Sequence, residues 1–400
     1  MAGKKVSYMI CLLIFAVVFS SCSIGNTPDT KGNGKVVMAT YIPVFGGENK
    51  WYNWQYLNAW EYGGEDSRPD LILENGRRQI ASVYYPMIGA YDSTDKDVLG
   101  YHIDIAKAMG IDVFQINYYA DLNKDYLKTT ELLVKLAEEK KFKISFLYEP
   151  KIHLQNWIKH ENRQQKLEAV AEDIINIIKR YGDSEAFLKY RGRHVIAVFG
   201  VAWSSLQAKD WEVIADLIGT SGYNPLLIGD NASSSDIKRT DVFEGMFHWE
   251  LYTANLRDAD ELKTYEFCST INKYSLQWVN SSGGERFPVG IVFPGFNDSR
   301  VWGWDLGRQR VIGNTGKEFY TQSWDVILEN KGQYDWLLIA TFNDWNEGTI
   351  IEPDMDNGYD RAVMTQNNIE KYKDIRPLDD GLIQKITEMY LHDPNVKKYR

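Results

Sequence analysis

Cysteine is scarce in this chain. Its 400 residues include three cysteines, and Cys11 lies in an N-terminal segment that we predict is removed. If Cys22 then carries a lipid, Cys268 has no partner and no internal disulfide can form. The fold must therefore be stabilised by its hydrophobic core, and we interpret Cys268 as a buried residue rather than as a nucleophile.

Other missing features exclude whole classes of function. The sequence has no G-x-S-x-G elbow, no P-loop and no H-E-x-x-H, and its six histidines do not cluster at metal-ligand spacings. The net charge of -10 argues against a nucleic-acid partner. Residues 354–358 resemble a calcium loop, but the glycine comes one position early and position twelve is not glutamate, so we interpret them as a turn. We therefore expect no cofactor and no metal.

The N-terminus has the pattern of an export signal. Lys4 and Lys5 precede an apolar run that is too short for a confident membrane span, and Ser20-Ser21-Cys22 follow it. We predict that residues 1–22 are a lipoprotein signal peptide with Cys22 lipidated, and that 23–35 form a flexible tether. The alternative is an ordinary signal peptide with an incidental cysteine. The expected location is a bacterial (outer) membrane, on the cell surface or the periplasmic face.

Strand-like and helix-like segments alternate along the rest of the chain. The predicted strands are Val36–Phe45, Val113–Tyr119, Ile144–Pro150, His194–Gly200, Pro225–Asp230, Val242–Trp249, Pro288–Phe296 and Trp336–Asn343. Most are rich in Val, Ile, Leu and Phe, as buried parallel strands are. The predicted helices are Asp95–Gly110, Leu127–Lys141, Gln165–Tyr181 and Trp211–Gly219. This alternation predicts a single α/β domain over 36–400, a (β/α)₈ TIM barrel with long βα loops.

Two long connections are rich in aromatic residues. The chain has 13 Trp, 25 Tyr and 16 Phe, and the connections at 46–80 and 297–334 hold several of them. The first contains Trp51, Tyr52, Trp54, Tyr56, Trp60 and Tyr62, and the second contains Trp302, Trp304 and Trp324. Flat rings stack on sugars, so these side chains either line a glycan cleft or simply pack the loops down.

Two acids, Asp344 and Glu347, flank Trp345 where the last predicted strand ends. Carboxyl ends of barrel strands face the active site, so this pair would project into a cleft. Cleavage of a glycosidic bond needs two carboxylates about 5–9 Å apart, which a turn of this length allows. The alternative is that the same spacing marks the N-cap pair of a helix.

The other strand ends supply polar and aromatic residues that would meet on the same rim. The candidates for substrate binding are Tyr41, Tyr118, Tyr119, Glu149, Trp203, His248, Trp249, Asn297, Arg300, Trp302 and Trp345. Several acids gathered there would raise one another's pKa, as general-acid catalysis near neutral pH requires. Taken alone, Glu149 is a loop carboxylate; beside the other acids we interpret it as an acceptor for a ligand hydroxyl.

The run Phe342-Asn343-Asp344-Trp345-Asn346-Glu347-Gly348-Thr349-Ile350-Ile351-Glu352-Pro353 resembles a motif of glycoside hydrolase family 99. That family contains endo-acting α-mannosidases and α-mannanases. Three further segments match in order, at 85–93, around Tyr148-Glu149-Pro150 and at Pro294–Arg300, and the resemblance extends from about Val36 to Tyr372. It implies a hydrolase of an α-linked glycan, such as α-mannan or an N-glycan, acting internally.

The resemblance also implies a mechanism with retention of anomeric configuration. One carboxylate takes the proton of the sugar's 2-hydroxyl, whose oxygen closes a 1,2-anhydro ring, and the second protonates the leaving oxygen and later activates water. Asp344 falls on the base and Glu347 on the acid/base. Glu149, Tyr41, His248 and Arg300 fall on substrate contacts.

The chain departs from the family pattern at the base. The family has Glu where this chain has Asp344, and commonly has His where it has Asn346. A misplacement of about 1 Å can cost about 10²-fold in rate, so the shorter side chain matters. Two alternatives stay open: a related subfamily with another sugar specificity, and a non-catalytic glycan-binding lipoprotein on the same barrel. An inverting hydrolase or a deacetylase has less support.

Overall fold

Eight parallel strands form the centre of the protein. They are β1 Val36–Tyr41, β2 Val113–Asn117, β3 Lys143–Tyr148, β4 Arg193–Val198, β5 Leu226–Asp230, β6 Phe243–Phe247, β7 Phe287–Val292 and β8 Trp336–Ile339. The computed structural model describes residues 34–47, 50–119, 123–150, 162–201, 204–231, 238, 240–249, 261–281, 286–312, 317–379 and 381–399. Each strand lies inside or within one residue of a predicted one, so all eight strand predictions are confirmed.

The eight strands close into a barrel. Each strand pairs in parallel with the next one along the chain, and β1 pairs with β8, for example Val36 with Trp336. A closed sheet has no exposed edge, and helices cover its outer face. The predicted (β/α)₈ barrel is confirmed.

Eight helices of eleven residues or more occur in the described ranges. They are α1 Lys96–Ala108, α2 Lys124–Glu139, α3 Arg163–Tyr181, α4 Ala208–Thr220, α5 Glu261–Asn280, α6 Lys317–Glu329, α7 Asp360–Lys373 and α8 Leu382–His392. The first four confirm the predicted helices. The prediction of one continuous connection over 297–334 is wrong, because α6 occupies part of it and buries Trp324 completely. None of the helices in the described ranges is long and apolar enough to cross a membrane.

Side chains alternate between two hydrophobic clusters along the barrel strands. One cluster takes alternate residues from all eight strands, such as Val36, Met38 and Leu338, and fills the barrel. The other takes the residues between them, such as Val37 and Ala39, and packs against the helices. This period of two decides which side chains at a strand end can face the mouth of the barrel.

Candidate active site

A short hairpin follows β8 and carries both candidate acids. Asn343–Asp344 pairs in antiparallel fashion with Thr349–Ile350. The Thr341 hydroxyl accepts the Asp344 N–H at 2.8 Å and donates to the carbonyl of Thr349 at 2.7 Å. Gly348 has φ 63°, and a Cβ there would lie 3.2 Å from the carbonyl oxygen of Asn297, so the turn requires glycine.

The two faces of this hairpin differ. From residue 341 to residue 351, Asp344 and Glu347 are half-buried and the other residues are buried. The Asp344 carboxylate accepts the Glu347 N–H at 3.1 Å. This bond is the one a helix cap would make, but a turn follows instead of a helix, so both acids stay at the mouth of the barrel.

The buried face of the hairpin is held by a hydrogen-bond network. Asn343 Nδ2 and Trp345 Nε1 both donate to the Tyr91 hydroxyl, at 3.1 and 3.0 Å. Tyr91 in turn donates to Glu352 at 3.0 Å, whose other oxygen lies 3.2 Å from His102 Nε2. Asn343 therefore points into the protein interior and away from the mouth of the barrel, and the residues on either side of Asp344 are fixed by the same hydroxyl.

The electrostatics separate the two acids. Burial raises the pKa of Asp344 to about 6, whereas hydrogen bonds from the backbone N–H groups of Glu347 and Asn346 lower it in part. Burial and the negative charge of Asp344 together raise the pKa of Glu347 to about 8. At neutral pH Asp344 is therefore ionised and Glu347 holds its proton, which is the division of roles between a base and an acid.

Two predicted rim residues lie beside the acids. The pKa of Tyr119 is raised well above its usual value by burial, with the charges of Glu149, Asp344 and Glu347 adding to it. Its hydroxyl therefore remains protonated and accepts a hydrogen bond from Asn117 Nδ2 at 2.8 Å. Glu149 is half-buried at the end of β3, on the side of that strand that faces into the barrel.

The loop at 298–310 and the residue before it contact Glu347. The backbone N–H of Asn297 donates to the Glu347 carbonyl at 2.6 Å. The loop's ends are joined by the ion pair between Asp298 and Arg310, and Arg310 also opposes the rise of the Glu347 pKa. Trp304 Nε1 donates to Glu347 Oε1 at 3.1 Å.

Three other predicted rim residues face the helices instead. The Tyr41 hydroxyl lies 2.9 Å from His102 Nδ1 on α1, and Arg180 on α3 donates to the Tyr118 hydroxyl at 3.0 Å. The His248 ring packs on Tyr274 of α5 at 4.8 Å. Tyr41 and Tyr118 each follow by two positions a residue that packs outward against the helices, Ala39 and Ile116, and therefore face outward as well. The prediction that these side chains face the rim is wrong, because successive side chains of a strand point to opposite faces and these three point outward.

The remaining predicted residues occupy different surroundings. Trp345 is fully buried, and Trp249 is buried against Phe199 and Phe293. Trp302 stacks on Tyr62 with ring centres 5.8 Å apart, and Arg300 is half-exposed in the turn Ser299–Val301. Trp203 and Cys22 lie outside the described residues.

The loop aromatics divide between the two interpretations. Trp51, Trp54 and Trp324 are buried and pack their segments down, whereas Trp60 and Trp304 are 65% and 43% exposed. Of these, Trp304 contacts a candidate acid. Neither Arg310 nor the Asp298 carboxylate is predicted from the sequence, because residues 12 positions apart carry no sign of pairing until the loop folds. In the described ranges no group of three or more His, Cys, Asp or Glu could hold a metal ion.

The family follows from the comparison with known proteins. The sequence model of glycosyl hydrolase family 99 matches residues 40–395. The chain belongs to glycosyl hydrolase family 99. It is accordingly a glycoside hydrolase, and the resemblance found in the motif at 342–353 is confirmed.

Individual known proteins are similar to this chain over most of their length. Rat glycoprotein endo-alpha-1,2-mannosidase is 25% identical over 378 residues, which covers 87% of this chain and 71% of the rat protein. The Xenopus laevis protein of the same name is 24% identical over 375 residues, covering 87% and 73%. A solved family 99 endo-alpha-mannosidase from Bacteroides thetaiotaomicron has a TM-score of 0.64 at 18% identity, covering 84% of this chain and 97% of that one. This likeness shows the shared barrel fold.

Proposed function

We propose that this hydrolase cleaves α-mannose-linked glycans internally and with retention, using Asp344 as base and Glu347 as acid/base. The observation that carries the proposal is the pair itself: two half-buried carboxyl groups on one face of a buried hairpin, with pKa values of about 6 and about 8. The names of the relatives, which are endo-alpha-mannosidases, support the choice of sugar and of internal cleavage.

The first step closes a ring within the sugar. Asp344 takes the proton of the 2-hydroxyl, O2 attacks the anomeric carbon, and the bond from that carbon to the leaving oxygen breaks. Glu347 gives its proton to the leaving oxygen. Glu347 can do so at neutral pH because its pKa is raised to about 8, while Asp344, with a pKa of about 6, is free to accept.

The second step reverses the roles. Glu347, now ionised, takes a proton from water, whose oxygen attacks the anomeric carbon. The bond from that carbon to O2 breaks, and O2 takes the proton back from Asp344. Two displacements at one carbon give overall retention. Both carboxyls return to their starting protonation, so the cycle balances.

A hydrolysis screen tests the proposal. Protein comprising the residues after Cys22 is incubated with α-mannans, α-glucans and high-mannose N-glycans, beside Glu347→Gln. We expect oligosaccharides from the α-mannose substrates with the native protein alone, and NMR of the first product should show the α-anomer. Cleavage of α-glucans only would contradict the sugar, and a β-anomer would contradict retention. Binding without turnover by the native protein would favour the glycan-binding alternative.

We also propose that the protein is exported and lipid-anchored through Cys22. This rests on the basic, apolar and small-residue pattern at 1–22; residues 1–33 lie outside the described structure. Cells are grown with a radioactive fatty acid and then fractionated. The native protein should carry the label and should be recovered in the membrane fraction. Equal labelling of Cys22→Ala, or recovery of native protein in the soluble fraction, would contradict the anchor.

A further inference from the structure

Trp304 is both hydrogen-bonded to a candidate acid and partly exposed. Its indole N–H donates to Glu347 Oε1 at 3.1 Å, yet 43% of the residue is exposed. A tryptophan that only packed the loop down would be buried, as Trp324 is. Part of the ring surface is therefore available to a ligand, beside the carboxyl that we assign as the acid.

The backbone that carries Trp304 is held in an uncommon conformation. Trp302, Gly303 and Trp304 have φ values of 49°, 66° and 54°, all in the left-handed region. Two of these residues are not glycine, and side chains occupy this region mainly where their surroundings fix it. A Cβ on Gly303 would lie 2.6 Å from the Arg308 carbonyl oxygen, so the turn is also tightly closed.

Contacts on both sides fix this conformation. At the base of the loop, Asp298 accepts the Arg310 backbone N–H at 2.7 Å and pairs with its guanidinium. Trp302 stacks on Tyr62, and a Cβ on Gly64 would lie 2.5 Å from the Trp302 ring. These contacts hold Trp304 in one position before a ligand binds. A binding surface that is already ordered loses little conformational entropy on binding.

We propose that the exposed ring face of Trp304 binds the leaving-group sugar, a hexopyranose, and that its N–H is a positioning donor for Glu347. The inference rests on the proposed function, in which Glu347 protonates the leaving oxygen. The sugar attached to that oxygen must lie within reach of Glu347, and Trp304 is both exposed and in contact with Glu347. Stacking of an aromatic ring on the apolar face of a pyranose suits this position.

The first experiment reads the hydrogen bond without using activity. Carboxyl-¹³C NMR follows the titration of Glu347, assigned by its loss in Glu347→Gln, in the native protein and in Trp304→Phe. The N–H favours the ionised carboxylate, so removing it should raise the titration midpoint by about 0.5–1 pH unit. An unchanged midpoint would overturn the positioning role.

The second experiment reads the sugar contact. It compares an α-mannan oligosaccharide with the glycosyl fluoride of the same donor part, whose leaving group is not a sugar. For Trp304→Ala we expect KM for the oligosaccharide to rise about 3- to 10-fold relative to Trp304→Phe, with no such change for the fluoride. Leu306→Ala, which removes a 60% exposed side chain from the same loop, is the control and should match the native protein.

The outcomes separate this inference from the proposed function. Equal losses on both substrates in Trp304→Ala would overturn the sugar-binding role while leaving the hydrolase intact. If the native protein cleaves neither α-mannose substrate, the proposed function falls, the leaving-group contact falls with it, and the NMR titration still decides whether Trp304 positions Glu347.

Discussion

The hairpin after β8 has a buried face and a face toward the mouth of the barrel, and the two candidate acids alternate in sequence with residues of the buried face. Asn343, Trp345 and Asn346 make hydrogen bonds with the protein interior, and all three are buried. Asp344 and Glu347 are half-buried at the mouth of the barrel and have raised pKa values. Hydrogen bonds on the buried face hold the acids in position, and the two carboxyl groups on the other face would carry out the chemistry. Mutations on the two faces should therefore have separable effects on stability and turnover.

The largest effect is expected from removing a carboxylate on the face toward the mouth of the barrel. Glu347→Gln and Asp344→Asn should each lower kcat by about 10³-fold or more. Their melting temperatures should rise, because folding buries the charge of Asp344 and requires Glu347 to take up a proton, and the amides avoid both costs. Asp325→Asn is the control: its pKa is likewise raised by burial, but it lies on α6, so the melting temperature should rise with kcat unchanged. A destabilised Glu347→Gln would contradict this separation.

A second expectation concerns pH. Turnover needs ionised Asp344 and protonated Glu347, so kcat/KM should peak between about pH 6 and about pH 8. It should fall about tenfold per pH unit on either side. A profile that rises steadily through pH 9 would contradict the assignment of Glu347 as the acid.

The same pKa shifts predict a trend in stability. Both carboxyls bind their protons more tightly in the folded protein than in the unfolded chain, where their pKa values lie near 4. The folded state therefore loses stability as the pH rises from about 4 to about 8. The gap in melting temperature between Glu347→Gln and the native protein should widen from pH 5 to pH 8, and a gap that does not change would contradict the cause that we assign.

A smaller effect on turnover, with a loss of stability, is expected on the buried face. Tyr91→Phe removes the hydroxyl shared by Asn343, Trp345 and Glu352, and should cost about 1–3 kcal/mol in the free energy of unfolding. Displacement of the hairpin should lower kcat about tenfold. Tyr320→Phe is the matched control, because it loses a buried hydroxyl bonded to Thr365 at 2.7 Å, away from the hairpin. Equal kcat losses in the two variants would show that the network does not position the acids.

The smallest effect is expected at Asn346. Its side chain donates to the carbonyls of Asn53 and Ala81, at 2.7 and 2.8 Å, and so joins the hairpin to the loop after β1. Asn346→Ala should cost about 1–2 kcal/mol in the free energy of unfolding, with kcat changed less than about threefold. A kcat loss as large as that of Tyr91→Phe would place Asn346 among the residues that position the acids.

Much of the fold could be predicted because its signals are local. Buried parallel strands require continuous apolar runs, and the helices that cover them require an apolar stripe, so the eight strands and helices α1 to α4 were evident. Helices α5 to α8 are not among the predicted ones. Helix α6 lies in a segment interpreted by its aromatic residues, although Phe319, Tyr320 and Trp324 in it are spaced for one buried helix face. The acid pair could be found because it directly follows a strong strand signal.

The rim residues could be predicted only in part, because the position of a strand end along the sequence does not fix the direction of each side chain. Tyr118 and Tyr119 are adjacent, yet one accepts a bond from Arg180 on α3 while the other lies beside the acids. A strand residue faces the same side as the residue two positions before it. Applied to each strand end, this rule separates Tyr118, which faces outward, from Tyr119, which faces inward. The contact of Trp304 with Glu347 offered no such rule, since it depends on the closure of a loop.

The sequence by itself determined the barrel, the family motif and the acid pair, because these depend on the order and spacing of residues within short segments. The tertiary structure alone decided which strand-end side chains face the cleft, how Tyr91 and Glu352 support the hairpin, and which tryptophan contacts Glu347. Those features join residues far apart in the chain, such as Asn343 and Tyr91 or Glu347 and Trp304, and their contacts exist only once the barrel has closed.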